Sequence, residues 1–381
     1  MITFKNLYKS YKDKPVLIDV NLEVETGEFM VLIGSSGCGK TTLLKSINKL
    51  HNYDKGDILI DGVSVKNTDG TELRRRIGYV VQDAGLFPHM TVEENLKTVL
   101  KINNIPEKDW DERIDELLRM VELEPSSYRK LYPVQLSGGQ KQRVGVARAF
   151  AADHGIILMD EPFSALDPVT RTDLQDYIVK LQKRLNKTII FVTHDMDEAI
   201  KMATRICIIQ NGRIVQCDKP ENILKHPAND YVRQFIGKNR LWNKPEFIKA
   251  RDIMQKNPCR ISSERTLIQA MQIMTHNAVD SVLVTEDKKL AGIIWLKDLQ
   301  NFKDYTDYSI KDFLSDDFVA VNENTNLKEI MNTVDYKRAG IIPVVNDDNV
   351  LTGFLSKSRL LLTLSKQYQQ ERVDDDGGLL L

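Results

Sequence analysis

Cysteine is scarce and scattered. Cys38, Cys207, Cys217 and Cys259 are the four thiols in 381 residues, and none belongs to a Cys-x-x-Cys pair. That excludes a disulfide framework and the spacing of a structural zinc site, and it fits reduced thiols. No apolar run approaches the ~18 residues a membrane-spanning helix needs, and the N-terminus lacks the apolar core of a signal peptide. The chain is therefore expected to stay inside the cell and to reach a membrane only by docking on proteins embedded there. Charge of one sign is missing too: 53 Lys and Arg meet 54 Asp and Glu, a net charge of -1. No basic field marks a nucleic-acid partner. The length suffices for two or three domains.

What is present centres on Gly34-Ser-Ser-Gly-Cys-Gly-Lys-Thr-Thr42, between the apolar run Phe29-Met-Val-Leu-Ile33 and the helix-like run Leu43 to Leu50. Strand, glycine loop and helix in that order satisfy the phosphate-loop pattern, in which backbone N–H groups turn inward around phosphate oxygens at a helix start. Gly34, Ser35, Ser36, Gly37, Cys38, Gly39 and Thr42 are then expected to wrap ATP. Lys40 would reach the β- and γ-phosphates and Thr41 would ligate Mg²⁺. Downstream, the apolar strand Ile77 to Val81 ends at Gln82, placed to face the metal and the attacking water. Gly155 to Met159 ends in Asp160-Glu161, a metal carboxylate followed by a candidate base for that water. Thr188 to Thr193 ends at His194, at the same sheet edge. Tyr11 follows the first strand and could stack on an adenine.

Two further segments stand between these motifs. Thr91 to about Leu123 carries helical spacing and reads as an insertion, either a packing element or a partner's docking surface. Leu136-Ser-Gly-Gly-Gln140 opens a helix, so Ser137, Gly138, Gly139 and Gln140 offer a second anion-ready helix start. One phosphate needs one cradle, and a second makes sense if it caps nucleotide held by another copy. Ser164-Ala-Leu-Asp167 forms a tight connection after the carboxylates, and Asp167 is counted with the ATP contacts.

The order Gly34 to Thr41, Gln82, Leu136 to Gln140, Asp160-Glu161, Ser164 to Asp167 and His194 resembles the ATPase subunit of ATP-binding-cassette (ABC) transporters over residues 1–238. The resemblance implies an α/β phosphate-loop NTPase fold with a helical insertion. It also implies a head-to-tail homodimer that sandwiches two ATP molecules, each between one copy's phosphate loop and the other's Leu136 to Gln140 segment. Tyr11 matches the adenine-stacking aromatic, Gln82 the sensing glutamine, Ser137 and Gly139 the contacts made in trans, Asp160 the metal aspartate, Glu161 the catalytic base and His194 the switch histidine.

Past a polar stretch read as a linker, 239–250, the chain repeats with a period of about sixty residues. Val282-Leu-Val284 and Leu290 to Ile294 pair with Pro343-Val-Val345 and Leu351 to Leu355, and the helical run Leu267 to Met274 pairs with Leu327 to Val334. Two halves that each bury one face are most simply packed against one another. The stretch resembles a tandem pair of α/β cystathionine-β-synthase (CBS) domains, 251–306 and 307–366, a family that commonly binds adenosine nucleotides through Ser/Thr-x-x-Asp. Here Trp295-Leu-Lys-Asp298 lacks the hydroxyl and Ser356-Lys-Ser-Arg359 lacks the carboxylate. Arg359 favours a phosphate-rich ligand, and Tyr336 with Arg338 could supply stacking and further charge. The expectation is inhibition by a cyclic dinucleotide such as cyclic di-AMP, set against a repeat that only dimerises or senses ionic strength. Residues 367–381, acidic and then apolar, read as a disordered tail.

The whole architecture resembles the energising subunit of bacterial importers for glycine betaine, carnitine, choline and related quaternary amines. Implied partners are membrane permease subunits and, indirectly, an extracellular solute-binding protein, with the chain peripheral on the cytoplasmic face of the plasma membrane. The alternative is an importer of another small solute such as an amino acid, its CBS pair serving dimerisation. A cassette acting in DNA repair or translation would carry two cassettes or a long coiled-coil insertion, and a vestigial ATPase would not keep both Glu161 and His194.

Overall fold

The computed structural model describes residues 1–81, 84–164, 166–237, 240–299, 308–334 and 340–368. It divides into two units, Met1–Ile236 and Gly237–Leu381.

In the first unit, β1 (Ile2–Tyr11) and β2 (Lys14–Val24) form an antiparallel pair whose inward residues are apolar. β3 (Phe29–Ile33) is buried at all five positions, because it is flanked on both sides by parallel strands. It delivers the glycine loop into α1 (Lys40–Ile47). β4 (Lys55–Ile60) and β5 (Val63–Ser64) complete a four-stranded sheet in the order β2-β1-β4-β5. After α2 (Gly70–Arg75), β6 (Ile77–Val80) leads to the helical insertion α3 (Val92–Ile102), α4 (Trp110–Met120) and α5 (Pro125–Tyr128). Thr91 and Glu94 form a reciprocal cap that fixes where α3 starts.

α6 (Gly138–Ala149) then leads to β7 (Ile156–Asp160), α7 (Pro168–Leu185), β8 (Thr188–Thr193), α8 (Met196–Met202), β9 (Arg205–Gln210) and β10 (Arg213–Asp218). The larger sheet runs β10-β9-β3-β8-β7-β6, parallel except for the antiparallel edge strand β10. Parallel pairing brings the carboxyl ends of β3, β6, β7 and β8 to one edge, where an open α/β sheet presents its ligand site. α9 (Pro220–Lys225) and α10 (Asp230–Ile236) close the unit. Leu32, Leu43, Leu44, Leu158, Ile190 and Cys207 belong to one apolar cluster beneath that edge.

The second unit carries its arrangement twice. After α11 (Ala250–Ile253), β11 (Arg260–Ser262), α12 (Leu267–His276), β12 (Ser281–Glu286), β13 (Lys289–Trp295) and α13 (Leu296–Leu299) give a sheet β11-β12-β13. β14 (Val321–Asn322), α14 (Leu327–Thr333), β15 (Ile341–Val345), β16 (Leu351–Ser356) and α15 (Lys357–Tyr368) repeat it as β14-β15-β16. Leu283, Leu290 and Ile293 pack with Leu351 across the halves, as two single-faced sheets require.

Of the stretch expected as a linker, residues 240–250 do more than connect. Leu241 and Trp242 pack on the cluster that holds Ile248, Ala250 and Ile253 with Val321, Leu327 and Leu355 of the second half. The Ala250 N–H donates to the Thr325 carbonyl at 2.9 Å. Leu241, Trp242, Phe247, Ile248 and Ala250 are mixed with polar residues and Pro245 in no helical or strand period, so no local pattern marked a structural segment.

Candidate active site

The phosphate loop closes against β2. At Gly39 the backbone φ is +108°, and a Cβ there would lie 2.7 Å from the Val16 carbonyl oxygen, so only glycine permits both the conformation and the approach. A cavity of about 380 Å³ opens above it, lined by Val16, Ser36, Gly37, Gly39, Lys40, Thr41, Thr42, Glu161 and His194. Residues from four separate stretches of chain thus meet in one space.

Lys40 is 6 % exposed and its Nζ donates to the Gly34 and Ser35 carbonyls at 2.8 and 3.0 Å. It also approaches Cys38 Sγ at 4.0 Å, and no carboxylate among the described residues pairs with it. A buried ammonium held only by neutral acceptors is a site for an anion. Burial pushes the Cys38 thiol up, with Lys40 offsetting part of the rise. Asp160, 2 % exposed, accepts from the Thr41 hydroxyl at 2.8 Å and lies 3.7 Å from Lys45 Nζ. A hydroxyl and a buried carboxylate side by side are hard oxygen donors suited to Mg²⁺.

Glu161 sits in the left-handed region at φ +47°, unusual for a residue with a side chain, and its Oε2 lies 3.3 Å from His194 Nδ1. His194 is framed by an anchor that sequence reasoning missed. Thr193 Oγ1 donates to Glu198 Oε2 at 2.6 Å and accepts from the Asp195 N–H at 3.0 Å, while Gln175 Nε2 donates to Glu198 Oε1 at 3.3 Å. Burial raises the Glu198 carboxyl, and the Thr193 hydroxyl counters part of that. The spacing Asp195-x-x-Glu198 was the available signal, a helix-start pattern. Val16 gave none, since its carbonyl acts rather than its side chain.

Other expected residues lie elsewhere. Tyr11 ends β1, 40 % exposed, hydrogen-bonded through its hydroxyl to His51 Nδ1 at 2.8 Å, with Lys9 Nζ 5.0 Å from its ring centre. Ser137 and Gln140 form a reciprocal cap on α6, and Gln140 Nε2 donates to the Tyr128 hydroxyl at 3.1 Å. None of Ser137, Gly138, Gly139 and Gln140 lines the cavity of their own chain. Asp167 caps α7, accepting the Thr170 N–H at 3.0 Å, which holds its carboxyl below the usual range. Arg359 Nε donates to the Ile253 carbonyl at 2.9 Å. Gln82, Tyr336 and Arg338 lie outside the described residues.

Comparison with known proteins places this geometry. The ABC transporter family model matches residues 17–164, and the CBS domain model matches 250–302 and 310–366. The chain is 44% identical over 365 residues to the choline transport ATP-binding protein OpuBA of Bacillus subtilis, covering 95% of each. It is 43% identical over 364 residues to the carnitine transport ATP-binding protein OpuCA of Listeria monocytogenes, covering 95% of this chain and 91% of that one. The chain belongs to the osmoprotectant-importer family of ABC transporter ATP-binding subunits. It is an ABC-type transport ATPase with a tandem CBS pair. A solved ATP-binding cassette, dimeric in a post-hydrolysis state with ADP and Pi, superimposes with a TM-score of 0.54 at 35% identity, over 58% of this chain and 99% of that one. ABC ATPases use ATP with Mg²⁺, and the unpaired Lys40 charge and the Thr41–Asp160 pair fit both. Among the described residues, no helix is long and apolar enough to cross a membrane.

Proposed function

We propose that this subunit hydrolyses ATP to drive import of quaternary-amine osmoprotectants, among them choline, carnitine and glycine betaine. The cavity that gathers Lys40, Thr41, Glu161 and His194 carries the reading. Lys40 turns from the Gly34 and Ser35 carbonyls to the β- and γ-phosphates. The loop's inward N–H groups spread the remaining charge over fixed dipoles. Thr41 and Asp160, with Gln82, would hold Mg²⁺, which draws electron density from the phosphate oxygens. Glu161 accepts a proton from the attacking water, and His194, within reach of its carboxylate, orients the γ-phosphate. Tyr11 stacks on adenine, its hydroxyl tethered by His51.

Ser137, Gly138, Gly139 and Gln140, away from their own chain's cavity, cap the nucleotide of a second copy in a head-to-tail dimer, with Asp167 at the same junction. Contacts made only in the closed dimer favour closure, and hydrolysis removes them. Membrane permease subunits seated on the helical insertion follow that motion, which puts the chain on the cytoplasmic face of the plasma membrane and an extracellular solute-binding protein upstream. The units are a cassette, 1–238, and two CBS domains ending at 366. Cyclic di-AMP held between second CBS copies, through Arg359, Arg338 and Tyr336, inhibits turnover.

One observation favours a second reading of the repeat. Arg359 already donates to the Ile253 carbonyl, which suits a CBS pair that serves only dimerisation. Uptake of labelled choline, carnitine, glycine betaine and an amino acid, in membranes holding this subunit with its permease, decides the solute. The proposal expects uptake of a quaternary amine that stops in Glu161→Gln; transport of the amino acid alone would defeat it.

A further inference from the structure

Cys207 and Cys217 stand opposite each other in the antiparallel β9–β10 register. Side chains of directly opposed residues leave the same face of a sheet. Both thiols indeed join the apolar cluster beneath the phosphate loop, Cys207 within it and Cys217 packed against it. Opposed Cα atoms are about 4.5–5.5 Å apart, inside the ~4.4–6.8 Å span of a disulfide. The two are unequal. Cys207 is fully buried, while Cys217 is half-buried and accepts a hydrogen bond from Arg205 Nη2 at 3.2 Å.

The neighbouring Cys207 thiol and then the Arg205 guanidinium hold Cys217 below the ordinary thiol range against its burial and the charges of Glu28 and Asp218. Cys207 is pushed well above that range, first by the adjoining Cys217 and then by burial. A nucleophile and a resolving thiol are thereby set side by side.

We propose that Cys217 and Cys207 form a peroxide-oxidised dithiol whose disulfide acts on the nucleotide loop. The Cys217 thiolate attacks one oxygen of hydrogen peroxide, the O–O bond breaks and hydroxide leaves, so sulfur loses two electrons to become a sulfenic acid. Cys207 then gives up its proton and attacks that sulfur; the S–S bond forms, the S–O bond breaks and water departs. Two thiols and one peroxide yield one disulfide and two waters. A thiol reductant reverses the bond.

The route to the loop is short. Cys207 pairs with Leu32 in the β3–β9 register, two residues before Gly34. A Cβ at Gly34 would come within 2.1 Å of the Ile209 carbonyl oxygen, so the β9 backbone lies directly against the loop. Bridging brings the two sulfurs from contact to bonding distance without closing the strands further, and the side-chain rotation that this takes repacks β9 under the loop and shifts that carbonyl.

The test uses the full chain, reduced, desalted and exposed to hydrogen peroxide, then alkylated and mapped by peptide mass, with Mg-ATP affinity measured calorimetrically before and after. The expected result is a Cys207–Cys217 linked peptide, with Cys38 and Cys259 alkylated. ATP binding weakens about tenfold and recovers with dithiothreitol. In Cys207→Ser, dimedone labels Cys217 and no linked peptide forms. Prior oxidation of Cys38 or Cys259, Cys217 running to sulfinic acid without pairing, or a linked peptide with unchanged affinity overturns the proposal. A reduced chain that binds no ATP would instead defeat the nucleotide-site reading, and the peptide map would still decide the dithiol.

Discussion

Lys40 in the first unit and Arg359 in the second are both cations that donate to main-chain carbonyls, and they differ in what surrounds them. Lys40 is buried on the carbonyls of its own loop, five and six residues away, and its charge has no carboxylate to balance it among the described residues. Arg359 is exposed to water and reaches across 106 residues of sequence to Ile253. Water already screens it. A buried, unbalanced charge implies a ligand; an exposed and hydrogen-bonded one fits a prop as well as a binding site.

The largest expected effect falls on the unit where burial speaks. Glu161→Gln removes the proton acceptor but keeps the shape, so turnover should drop about 10²–10⁴-fold while ATP still binds. Phosphate release and gel filtration together check this: the variant should trap an ATP-bound dimer. A monomeric variant that hydrolyses ATP at the normal rate would remove Glu161 from its role.

Next in size is Leu283→Ala, which empties a fully buried position between the repeat's halves. It should destabilise the second unit by about 2–5 kcal/mol. Because Leu283, Leu290, Ile293 and Leu351 share one cluster, both halves should lose hydrogen-exchange protection together. Loss confined to 260–299 would mean the halves are independent, and the likeness between the two halves would then extend no further than strand order.

How far the sequence could be read follows the same division. The phosphate loop, Asp160-Glu161 and His194 were legible because each ends an apolar run, and parallel pairing then brings such ends to one edge. What escaped was support supplied by distant residues. Val16 closes the loop with a carbonyl, and Glu198 anchors the His194 turn through Thr193. In the repeat, period and strand order were visible, yet the packing of Ile248, Ala250 and Ile253 onto the second half was not. Such pairings depend on long-range docking, which no local pattern records.

The helical insertion sharpens the contrast at smaller magnitude. Glu93 is 5 % exposed, and burial alone would raise its carboxyl, but Lys97, Lys130 and Arg129 override that and hold it at about 2. Arg129 also pairs with Asp111 at 2.5 Å and Asp115 at 3.0 Å, tying α3 to α4. Since the folded value lies below the unfolded one, the stabilisation is present above about pH 4.5. It fades as pH falls toward 2. Glu93→Gln should therefore cost about 1–3 kcal/mol at pH 7, and the gap from the parent chain should narrow between about pH 4.5 and 2. Urea melts at several pH values decide it; a gap that stays constant with pH would mean the loss is one of packing.

The smallest effect asks the sharper question, whether Arg359 is a prop or a ligand contact. Its Nε bond to Ile253 ties α15 to α11, so Arg359→Ala should lower the second unit's stability by only about 1 kcal/mol. A prop does nothing more. If the guanidinium's other N–H groups face phosphate when cyclic di-AMP is present, the same change should weaken binding at least tenfold, since bidentate pairing has no substitute in alanine. Arg359→Lys separates the two: it keeps the charge, loses the planar fork, and should restore part of the binding but not all. Calorimetry on the full chain with cyclic di-AMP reads this directly. Equal heats from all three proteins would leave Arg359 as a structural tie, and the contrast with Lys40 would then be complete.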